Sequence, residues 1–226
     1  GVFRMSTDGA TFSTIYSFDG PHGAVPLAGL VKGQDAFYGT TAKGGLWGYG
    51  TVFKVSADGS AFSVIHTFDG SDGSTPLAVL TLGDDGTLYG TTYGGGAHGA
   101  GPVFRVDADG SSFSVLHVFQ RTDGAFPTSG VILGIDGALY GTTTDGGSTA
   151  ASIGTVFRLQ TDGSSFSVLR SLDNVSGGRF PNAGLVQMPN GLLYGTTSAG
   201  GVNDYGTVFA ISMDGSLFSV PLSFRP

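Results

Sequence analysis

The sequence contains no cysteine and no glutamate. Without cysteine, the chain has no disulfide framework, thiolate-ligated zinc, iron–sulfur cluster or thiol nucleophile. Without glutamate, a glycoside hydrolase would have to use a pair of aspartates. Charged residues make up only 12% of the chain, about half of their usual share. Serine, threonine, glycine and asparagine must therefore cover much of the surface.

Positive charge is scarce. Ten basic residues stand against seventeen acidic ones, which gives a net charge of −7. The basic residues are scattered singly, so the sequence has no electrostatic footprint for nucleic acid or for an anionic membrane surface. No apolar run approaches the length of a membrane-spanning helix, and we expect no membrane insertion. The chain opens without an initiator methionine, and we expect it to be a processed or excised portion of something longer.

Two motifs repeat along the chain with the same period. Val-Phe begins at residues 2, 52, 103, 156 and 208, with spacings of 50, 51, 53 and 52 residues. Tyr-Gly-Thr-Thr begins at residues 38, 89, 140 and 194, with spacings of 51, 51 and 54. Independent motifs that keep one period of about fifty residues indicate a repeat architecture.

Each repeat reads as four short strands, here called a to d. In the clearest copy, strand a is predicted at residues 77–82, strand b at 87–92, strand c at 103–106 and strand d at 113–119. Asp-Gly turns join a to b and c to d, because Asp-Gly readily adopts the positive φ of hairpin turns. The strands are rich in valine, phenylalanine, tyrosine and threonine, and no stretch has helical periodicity.

Four antiparallel strands repeated every fifty residues predict an all-β fold, a β-propeller of four-stranded blades. A β-helix is the rival architecture, but its rungs are usually shorter. We expect one domain, residues 1–226, with a leading half blade (1–20) and repeats at 21–70, 71–120, 121–173 and 174–226. The count of eighteen strands suits a five-bladed ring with an incomplete blade, or part of a larger or oligomeric ring. The glycine of Tyr-Gly-Thr-Thr is expected to mark close approach of another backbone.

The combination of Gly-Thr-Val-Phe at residues 50–53, Leu-Tyr-Gly-Thr-Thr at 88–92 and a trailing Gly-Gly resembles the bacterial GloVer-containing tandem-repeat proteins. That resemblance covers the whole chain. It implies an exported bacterial protein, extracellular or on the cell surface, whose biochemical activity is not established and which offers no catalytic residues to carry over. The Gly-Gly pairs also resemble those of kelch propellers, although the kelch tryptophan of strand d is missing here.

The b–c and d–a loops should share one face of a propeller, and they differ from copy to copy. Variation on a constant scaffold indicates binding specificity. The predicted ligand-binding residues all lie in these loops or beside them: Trp47, Tyr49, Tyr93, His98, Arg121, Arg179, Asn203, Asp204 and Tyr205. Aromatic rings beside amide and carboxylate groups suit a carbohydrate or a protein partner. The alternative is that Trp47 and Tyr49 only fill the space above neighbouring blades.

Other candidate sites are weaker. Asp69 and Asp72 are candidate Ca²⁺ ligands in a Gly-rich loop, but their pattern is not kept between copies and Asp-Gly is more often a turn. We expect no cofactor and no catalytic residue. His66 and His117 occupy a strand d position that also accepts tyrosine, arginine and leucine, which predicts an outward-facing site.

The sequence therefore predicts a non-enzymatic extracellular binding module that uses the face of the variable loops. Two alternatives remain open. In the first, open blade edges join subunits into an oligomer or fibre, because an unpaired strand edge is sticky. In the second, the protein is a polysaccharide-active enzyme that uses loop aspartates such as Asp72, Asp123 or Asp204.

Overall fold

The computed structural model describes residues 1–148, 153–174 and 177–226, and eighteen β-strands lie in these ranges. The predicted number of strands is confirmed. The strands are β1 (Val2–Met5), β2 (Phe12–Tyr16), β3 (Val31–Lys32), β4 (Phe37–Thr41), β5 (Thr51–Val55), β6 (Phe62–Thr67), β7 (Thr81–Leu82), β8 (Thr87–Thr91), β9 (Pro102–Asp107), β10 (Phe113–Val118), β11 (Ile132–Leu133), β12 (Leu139–Thr143), β13 (Thr155–Leu159), β14 (Ser167–Ser171), β15 (Val186–Gln187), β16 (Leu193–Thr197), β17 (Thr207–Ile211) and β18 (Phe218–Ser223).

The strands form one leading hairpin and four blades. The leading hairpin pairs β1 with β2, and each blade is an antiparallel sheet of four strands in sequence order. Blade 1 contains β3–β6, blade 2 β7–β10, blade 3 β11–β14 and blade 4 β15–β18. The predicted all-β propeller architecture is confirmed. The described ranges contain no helix that could span a membrane.

Strand a is shorter than the sequence predicts. In blade 2 it covers only Thr81–Leu82, whereas residues 77–80 run without a ladder partner. Only two residues of each strand a pair with strand b, as in Thr81 with Tyr89 and Leu82 with Leu88. The apolar run that predicted a six-residue strand is instead a packed segment, of which Leu80 lies buried in the core.

In the four blades, the Phe of the Val-Phe motif is buried in the packing between neighbouring units. Phe53, Phe104 and Phe157 are completely buried. Each contacts edge-to-face the phenylalanine that follows strand d of the preceding hairpin or blade: Phe18, Phe68 and Phe119 respectively. The centroid distances are 5.1, 5.2 and 5.1 Å. Edge-to-face pairs of this kind are favourable beyond their buried area.

The same phenylalanine explains the glycine of Tyr-Gly-Thr-Thr. A Cβ on Gly90 would lie 2.5 Å from the Cζ atom of Phe104 and 2.8 Å from a methyl carbon of Leu80. The expectation that this glycine marks the approach of another backbone was wrong. It makes room for a side chain of strand c in its own blade.

A second set of contacts joins strand d of one blade to strand d of the next. His66 lies parallel to Phe113, and His117 lies parallel to Phe166, with ring centroids 3.6 Å apart in both pairs. Tyr16 stacks on Phe62 in the same way at 3.5 Å, and the Arg170 guanidinium lies 4.5 Å from the ring of Phe218. The prediction that this position faces outward was wrong. It accepts tyrosine, histidine and arginine because each has a flat group that can stack on a phenyl ring.

Every c–d hairpin contains a β-bulge at an equivalent place. In blade 1, Phe53 pairs with Val64 and Val52 with His66, so Ile65 is the extra residue. Its backbone packs against the c–d turn of blade 2, where a Cβ on Gly110 would lie 2.9 Å from the carbonyl oxygen of Ile65. The bulge therefore re-aims strand d toward the next blade.

Four hydrophobic clusters connect the leading hairpin to blade 1, blade 1 to 2, blade 2 to 3, and blade 3 to 4. None of these clusters, within the described ranges, joins blade 4 to the leading hairpin. In the part of the chain that the structure describes, each of these clusters thus joins units that are consecutive in sequence, as in other repeat proteins.

Candidate binding face

The d–a and b–c loops lie together on one face of the blades, which we call the loop face. Within blade 1 they are joined by two backbone hydrogen bonds: Ala24 N–H donates to Lys43 O over 2.7 Å, and Lys43 N–H donates to Ala24 O over 3.0 Å. The same bridge recurs in the other blades between residues 74 and 94, 125 and 145, and 179 and 199. The short a–b and c–d turns lie on the opposite face. The predicted division into two faces is confirmed.

Glycines with positive φ lie at an equivalent position near the start of each b–c loop. Gly44 has a φ of +79°, and a Cβ there would lie 2.5 Å from the carbonyl oxygen of Gly20. The equivalent positions in the other blades are Gly95, Gly146 and Gly200, all with positive φ. Because only glycine fits there at little cost, this position is the same in all four b–c loops.

The tip residues predicted from the sequence are exposed. The indole of Trp47 is 62% exposed, and His98 and Asn203 occupy equivalent exposed places in blades 2 and 4. The ring of Tyr49 lies against Gly70 of the following d–a loop, so it also fills space between blades. Tyr205, at the position equivalent to Tyr49, is exposed. In blade 3, residues 149–152 of this loop lie outside the described residues.

Arg179 and Asp204 form an ion pair rather than two separate binding groups. One terminal nitrogen of Arg179 donates to both carboxylate oxygens of Asp204, over 2.7 and 2.9 Å. Asp204 also accepts a hydrogen bond from Gly200 N–H over 2.7 Å. The Arg179 guanidinium lies 5.6 Å from the ring of Phe180. The pair links the d–a and b–c loops of blade 4.

Tyr93 and Arg121 do meet, through a residue that sequence reasoning missed. The ring of Phe126 stacks on Tyr93 with centroids 5.0 Å apart and planes 23° apart. The Arg121 guanidinium lies 4.8 Å from the centroid of the same Phe126 ring. Tyr93 and Arg121 are exposed, and Phe126 is half-buried. The result is a stack of three flat groups at the junction of blades 2 and 3.

A row of hydroxyl and amide groups lies at the equivalent positions in blades 3 and 4. Thr128 and Thr144 share a hydrogen bond of 2.9 Å between their hydroxyls. Thr144 donates to the side-chain oxygen of Asn182 over 3.2 Å, and the Asn182 amide donates to the hydroxyl of Ser198, also over 3.2 Å. Sequence reasoning missed this row too. Its signal is the residue after Tyr-Gly-Thr-Thr, which changes from Ala42 to Tyr, Thr and Ser while the motif stays constant.

Phe126 is held in place by an unusual backbone conformation that recurs in all four d–a loops. The residue before the proline of this loop has a φ of +56° to +58° in each copy: Val25, Thr75, Phe126 and Phe180. Positive φ is costly for such residues. In return, Phe126 N–H donates to Ala100 O of blade 2 and its carbonyl accepts from Thr144 N–H of blade 3, over 2.8 and 3.3 Å. These hydrogen bonds therefore fix the backbone at this position and place the side chain on the loop face.

The loop aspartates are engaged in structural contacts. Asp72 binds His66 Nε2 through one carboxylate oxygen (2.8 Å) and Asp69 N–H through the other (3.0 Å). Asp123 binds His117 Nε2 and Gln120 N–H in the same way. Burial lowers the pKa of both histidines, and the facing carboxylate only partly opposes this.

The two Ca²⁺ candidates therefore serve as loop caps. Asp69 Oδ1 accepts hydrogen bonds from Ser71 N–H and Asp72 N–H over 2.8 and 3.1 Å. In the described ranges, no group of three or more histidine and carboxylate side chains is placed to hold a metal ion.

The opposite face is made of the repeated a–b and c–d hairpin turns. Asp58 accepts hydrogen bonds from the Ser56 hydroxyl and from Ser60 N–H, which lower its pKa to about 2. Asp214 is held in the same way by Ser212 and Ser216, and its pKa is also lowered to about 2. These aspartates stabilise turns, as their position in the sequence indicates.

Solved structures similar to this chain are propellers of low sequence identity. The extracellular domain of a one-component system from B. thetaiotaomicron matches with a TM-score of 0.64 and 12% identity, covering 96% of this chain and 25% of that one. TolB from Acinetobacter baumannii matches with a TM-score of 0.55, 15% identity and coverage of 96% and 47%. A chain of a nidogen/laminin complex matches with a TM-score of 0.56, 16% identity and coverage of 84% and 62%.

At these identities the likeness concerns the fold alone, and this chain spans only part of each of those chains. No curated protein sequence matches significantly. The model of the Gloeobacter/Verrucomicrobia repeat matches residues 1–209. Nearly the whole chain is covered, with its Val-Phe and Tyr-Gly-Thr-Thr motifs, so the chain belongs to the Gloeobacter/Verrucomicrobia repeat family.

Proposed function

We propose that this chain is a non-enzymatic binding module that holds a carbohydrate on its loop face. The observation that carries the proposal is that exposed Tyr93 and Arg121 both contact the half-buried ring of Phe126, beside the hydroxyl and amide row of Thr128, Thr144 and Asn182. An aromatic face accepts the C–H face of a pyranose ring. Hydroxyl and amide groups nearby give the directional hydrogen bonds that orient its hydroxyls.

The rigidity of the face supports this assignment. The positive-φ residues before the prolines, the glycines of the b–c loops and the paired backbone hydrogen bonds hold the side chains in place before any ligand binds. A binding site that is already ordered loses less conformational entropy on association. The differences between copies are concentrated at the same few positions, which is the arrangement expected of a scaffold that displays specificity residues.

A catalytic role receives no comparable support. Asp72 and Asp123 are held by a histidine and by backbone N–H groups of their own loops, and Asp204 is paired with Arg179. Each carboxylate therefore has a structural partner. The resemblance to exported repeat proteins and the extracellular domain among the similar structures support placing the module outside the cell, as an exported protein.

The test begins with a glycan array probed with the whole chain, followed by calorimetric titration of the best oligosaccharide. Tyr93→Ala is the key variant, because the equivalent residue of blade 1 is already alanine, Ala42, and the fold accepts it. We expect the dissociation constant for that oligosaccharide to rise about tenfold or more, because the sugar ring loses the tyrosine face on which it stacks. Thr144→Ala should weaken binding by a smaller factor.

Trp47→His is the matched control, because His98 occupies the same tip position in blade 2. We expect it to leave the affinity for that oligosaccharide within about twofold, since Trp47 lies in the b–c loop of blade 1, whereas Tyr93 lies in that of blade 2. An array with no bound glycan, or a Tyr93→Ala variant that binds as well as the wild type, would overturn the proposal. A protein ligand captured on the same face with the same loss on Tyr93→Ala would replace the carbohydrate by a protein partner.

A further inference from the structure

The ring of Phe126 has an equivalent one blade further on. Phe180 stands immediately before the proline of the blade 4 d–a loop, as Phe126 does in blade 3, and their φ angles are +57° and +56°. Phe180 N–H donates to Ile153 O of blade 3 over 3.0 Å, and its carbonyl accepts from Ser198 N–H of blade 4 over 3.2 Å. Blades 1 and 2 have a valine and a threonine at this position. Two successive blade junctions therefore carry a phenyl ring at the same place on the loop face.

The two rings differ in what stacks on them. Tyr93, the residue after Tyr-Gly-Thr-Thr in blade 2, lies on Phe126 with centroids 5.0 Å apart. The equivalent residue of blade 3 is Thr144, which has no ring. In the described ranges no aromatic side chain stacks on Phe180, which is half-buried. A pyranose is a six-membered ring like the phenol of Tyr93, so a sugar can take the place on Phe180 that the tyrosine takes on Phe126.

The hydroxyl and amide row connects the backbone segments that carry the two rings. Thr144 N–H donates to Phe126 O over 3.3 Å, and the Thr144 hydroxyl donates to the side-chain oxygen of Asn182 over 3.2 Å. Asn182 follows Phe180 by two residues. Hydroxyl and amide groups both donate and accept hydrogen bonds, which matches the hydroxyls of a sugar. A sugar chain that crosses from one ring to the other would meet these groups on its way.

A guanidinium lies beside each ring. Arg121 lies 4.8 Å from the centroid of Phe126, and Arg179 lies 5.6 Å from that of Phe180. Arg179 is held by Asp204, whose carboxylate accepts two hydrogen bonds from it over 2.7 and 2.9 Å. The junction of blades 3 and 4 thus has the same three components as the junction of blades 2 and 3: a phenyl ring, a guanidinium and neighbouring hydroxyl and amide groups.

We propose that the ring of Phe180 is a second sugar-binding subsite, and that the loop face binds a linear polysaccharide across two blade junctions. The proposal rests on the carbohydrate function proposed above and names its substrate class. The sugars of this class are joined by equatorial bonds, as in cellulose, xylan, mannan and chitin. Such bonds keep the chain extended and leave the C–H faces of successive sugars open, so one chain can stack on Tyr93 and on Phe180 together.

Two subsites on one face make the affinity depend on the length of the sugar chain. A short oligosaccharide reaches one ring only. Once a longer one is held at Tyr93, its contact with Phe180 is intramolecular and gains from a high effective concentration. The fixed backbone of both loops adds to this gain, because little conformational entropy is lost when the second sugar binds.

The experiment is calorimetric titration of the whole chain with oligosaccharides of two and of six sugars from each of these four polysaccharides. For the sugar that binds best, we expect the dissociation constant of the hexasaccharide to be at least about tenfold lower than that of the disaccharide. Phe180→Thr is the key variant, because Thr75 occupies the same position in blade 2. It should weaken the hexasaccharide about tenfold and leave the disaccharide within about twofold.

A second variant removes the subsite without removing the ring. Thr144→Tyr restores the residue that covers Phe126 in the preceding junction, so the phenol should occupy the place of the sugar on Phe180 and weaken the hexasaccharide about tenfold as well. Val25→Thr is the matched control, because it makes the same kind of change at the same position in blade 1. It should leave both affinities unchanged. Circular dichroism and thermal unfolding establish that the variants are folded.

The outcomes separate this proposal from the function on which it rests. A hexasaccharide that binds no more tightly than the disaccharide, or as tightly to the folded Phe180→Thr variant as to the wild type, overturns the second subsite. If none of the four hexasaccharides binds while another glycan does, the substrate class is wrong. In these cases loss of binding in Tyr93→Ala would still support the carbohydrate function, whereas a chain that binds no glycan at all would overturn both.

Discussion

The imidazole of His66 lies parallel to the phenyl ring of Phe113 in the next blade, with centroids 3.6 Å apart and planes only 2° apart. The same position in neighbouring blades holds a tyrosine, a histidine and an arginine, each stacked on a phenylalanine. These stacks and the buried Val-Phe rings form the junctions between blades. In a repeat protein, stability depends mainly on such nearest-neighbour contacts.

Removing a phenylalanine of strand d should destabilise the chain where its ring stacks on a neighbouring unit, and much less where the ring is exposed. Phe166→Ala should lower the free energy of unfolding by about 2 kcal/mol, because it leaves a cavity beside His117 and Phe157. Phe12→Ala, in the leading hairpin, is the matched control, since this ring is 65% exposed. We expect it to change the free energy by less than about 0.5 kcal/mol. Urea denaturation at low protein concentration measures both, and equal losses would contradict the account.

Stability should fall as pH drops below about 6.5. Burial lowers the pKa of His66 and His117 in the folded chain, so the unfolded chain binds protons first as pH falls. The loss of stability begins near the pKa that histidine has in the unfolded chain, and it ends once the pH is below the pKa of these histidines in the folded chain. The double variant His66→Tyr and His117→Tyr should flatten this dependence, because Tyr16 already stacks in the same way on Phe62.

Thermal unfolding between pH 5 and pH 8 measures this difference. Above pH 7.5 the imidazoles are neutral in both the folded and the unfolded chain. In that range, the difference in unfolding temperature between the wild type and the double variant should no longer change with pH. A double variant whose stability falls as steeply as that of the wild type between pH 7 and pH 5 would show that these histidines are not the cause.

The glycine of Tyr-Gly-Thr-Thr should not tolerate even one methyl group. Gly90→Ala would place a Cβ 2.5 Å from the ring of Phe104, and we expect a loss of about 2–3 kcal/mol from overpacking. Gly29→Ala is the control, because its φ is ordinary and nothing lies within 4 Å of a Cβ there. It should be neutral or stabilise slightly through the unfolded chain. If Gly90→Ala and Gly29→Ala have the same denaturant midpoint, this explanation of the motif is refuted.

Relief of backbone strain should stabilise the d–a loop. Thr75 has a φ of +58° immediately before Pro76, and Thr75→Gly should raise the free energy of unfolding by about 0.5–1 kcal/mol. Ser74→Gly, one residue earlier at an unstrained position, should instead lower it by about 0.5–1 kcal/mol. Differential scanning calorimetry separates the two, and destabilisation by Thr75→Gly would mean that its side chain matters more than its strain.

Much of the fold could be predicted from the sequence, because the motifs that define it are local. Asp-Gly turns, β-branched strands and the fifty-residue period gave the four-stranded repeats and the number of strands. The contacts between repeats could not be predicted in this way. His66 and Phe113 are far apart in the chain, and a position that varies among tyrosine, histidine and arginine has the pattern of a surface site.

The candidate site was predicted only in part for a similar reason. Tyr93 and Arg121 lie in loops that visibly differ between copies, so their variation indicates a role. Phe126 joins them only because its backbone takes a positive φ before a proline. Phenylalanine rarely adopts this conformation, and no sequence motif indicates it. Thr128, Thr144 and Asn182 become neighbours only when blades 3 and 4 pack together.

The central claim is that the loop face is the binding face, and NMR mapping of the oligosaccharide selected on the array tests it most directly. On titration, we expect amide shifts to change around Tyr93, Phe126 and Thr144 and to stay constant at the turns of Asp58 and Asp136 on the opposite face. Shift changes confined to those turns, or spread over both faces, would contradict the account.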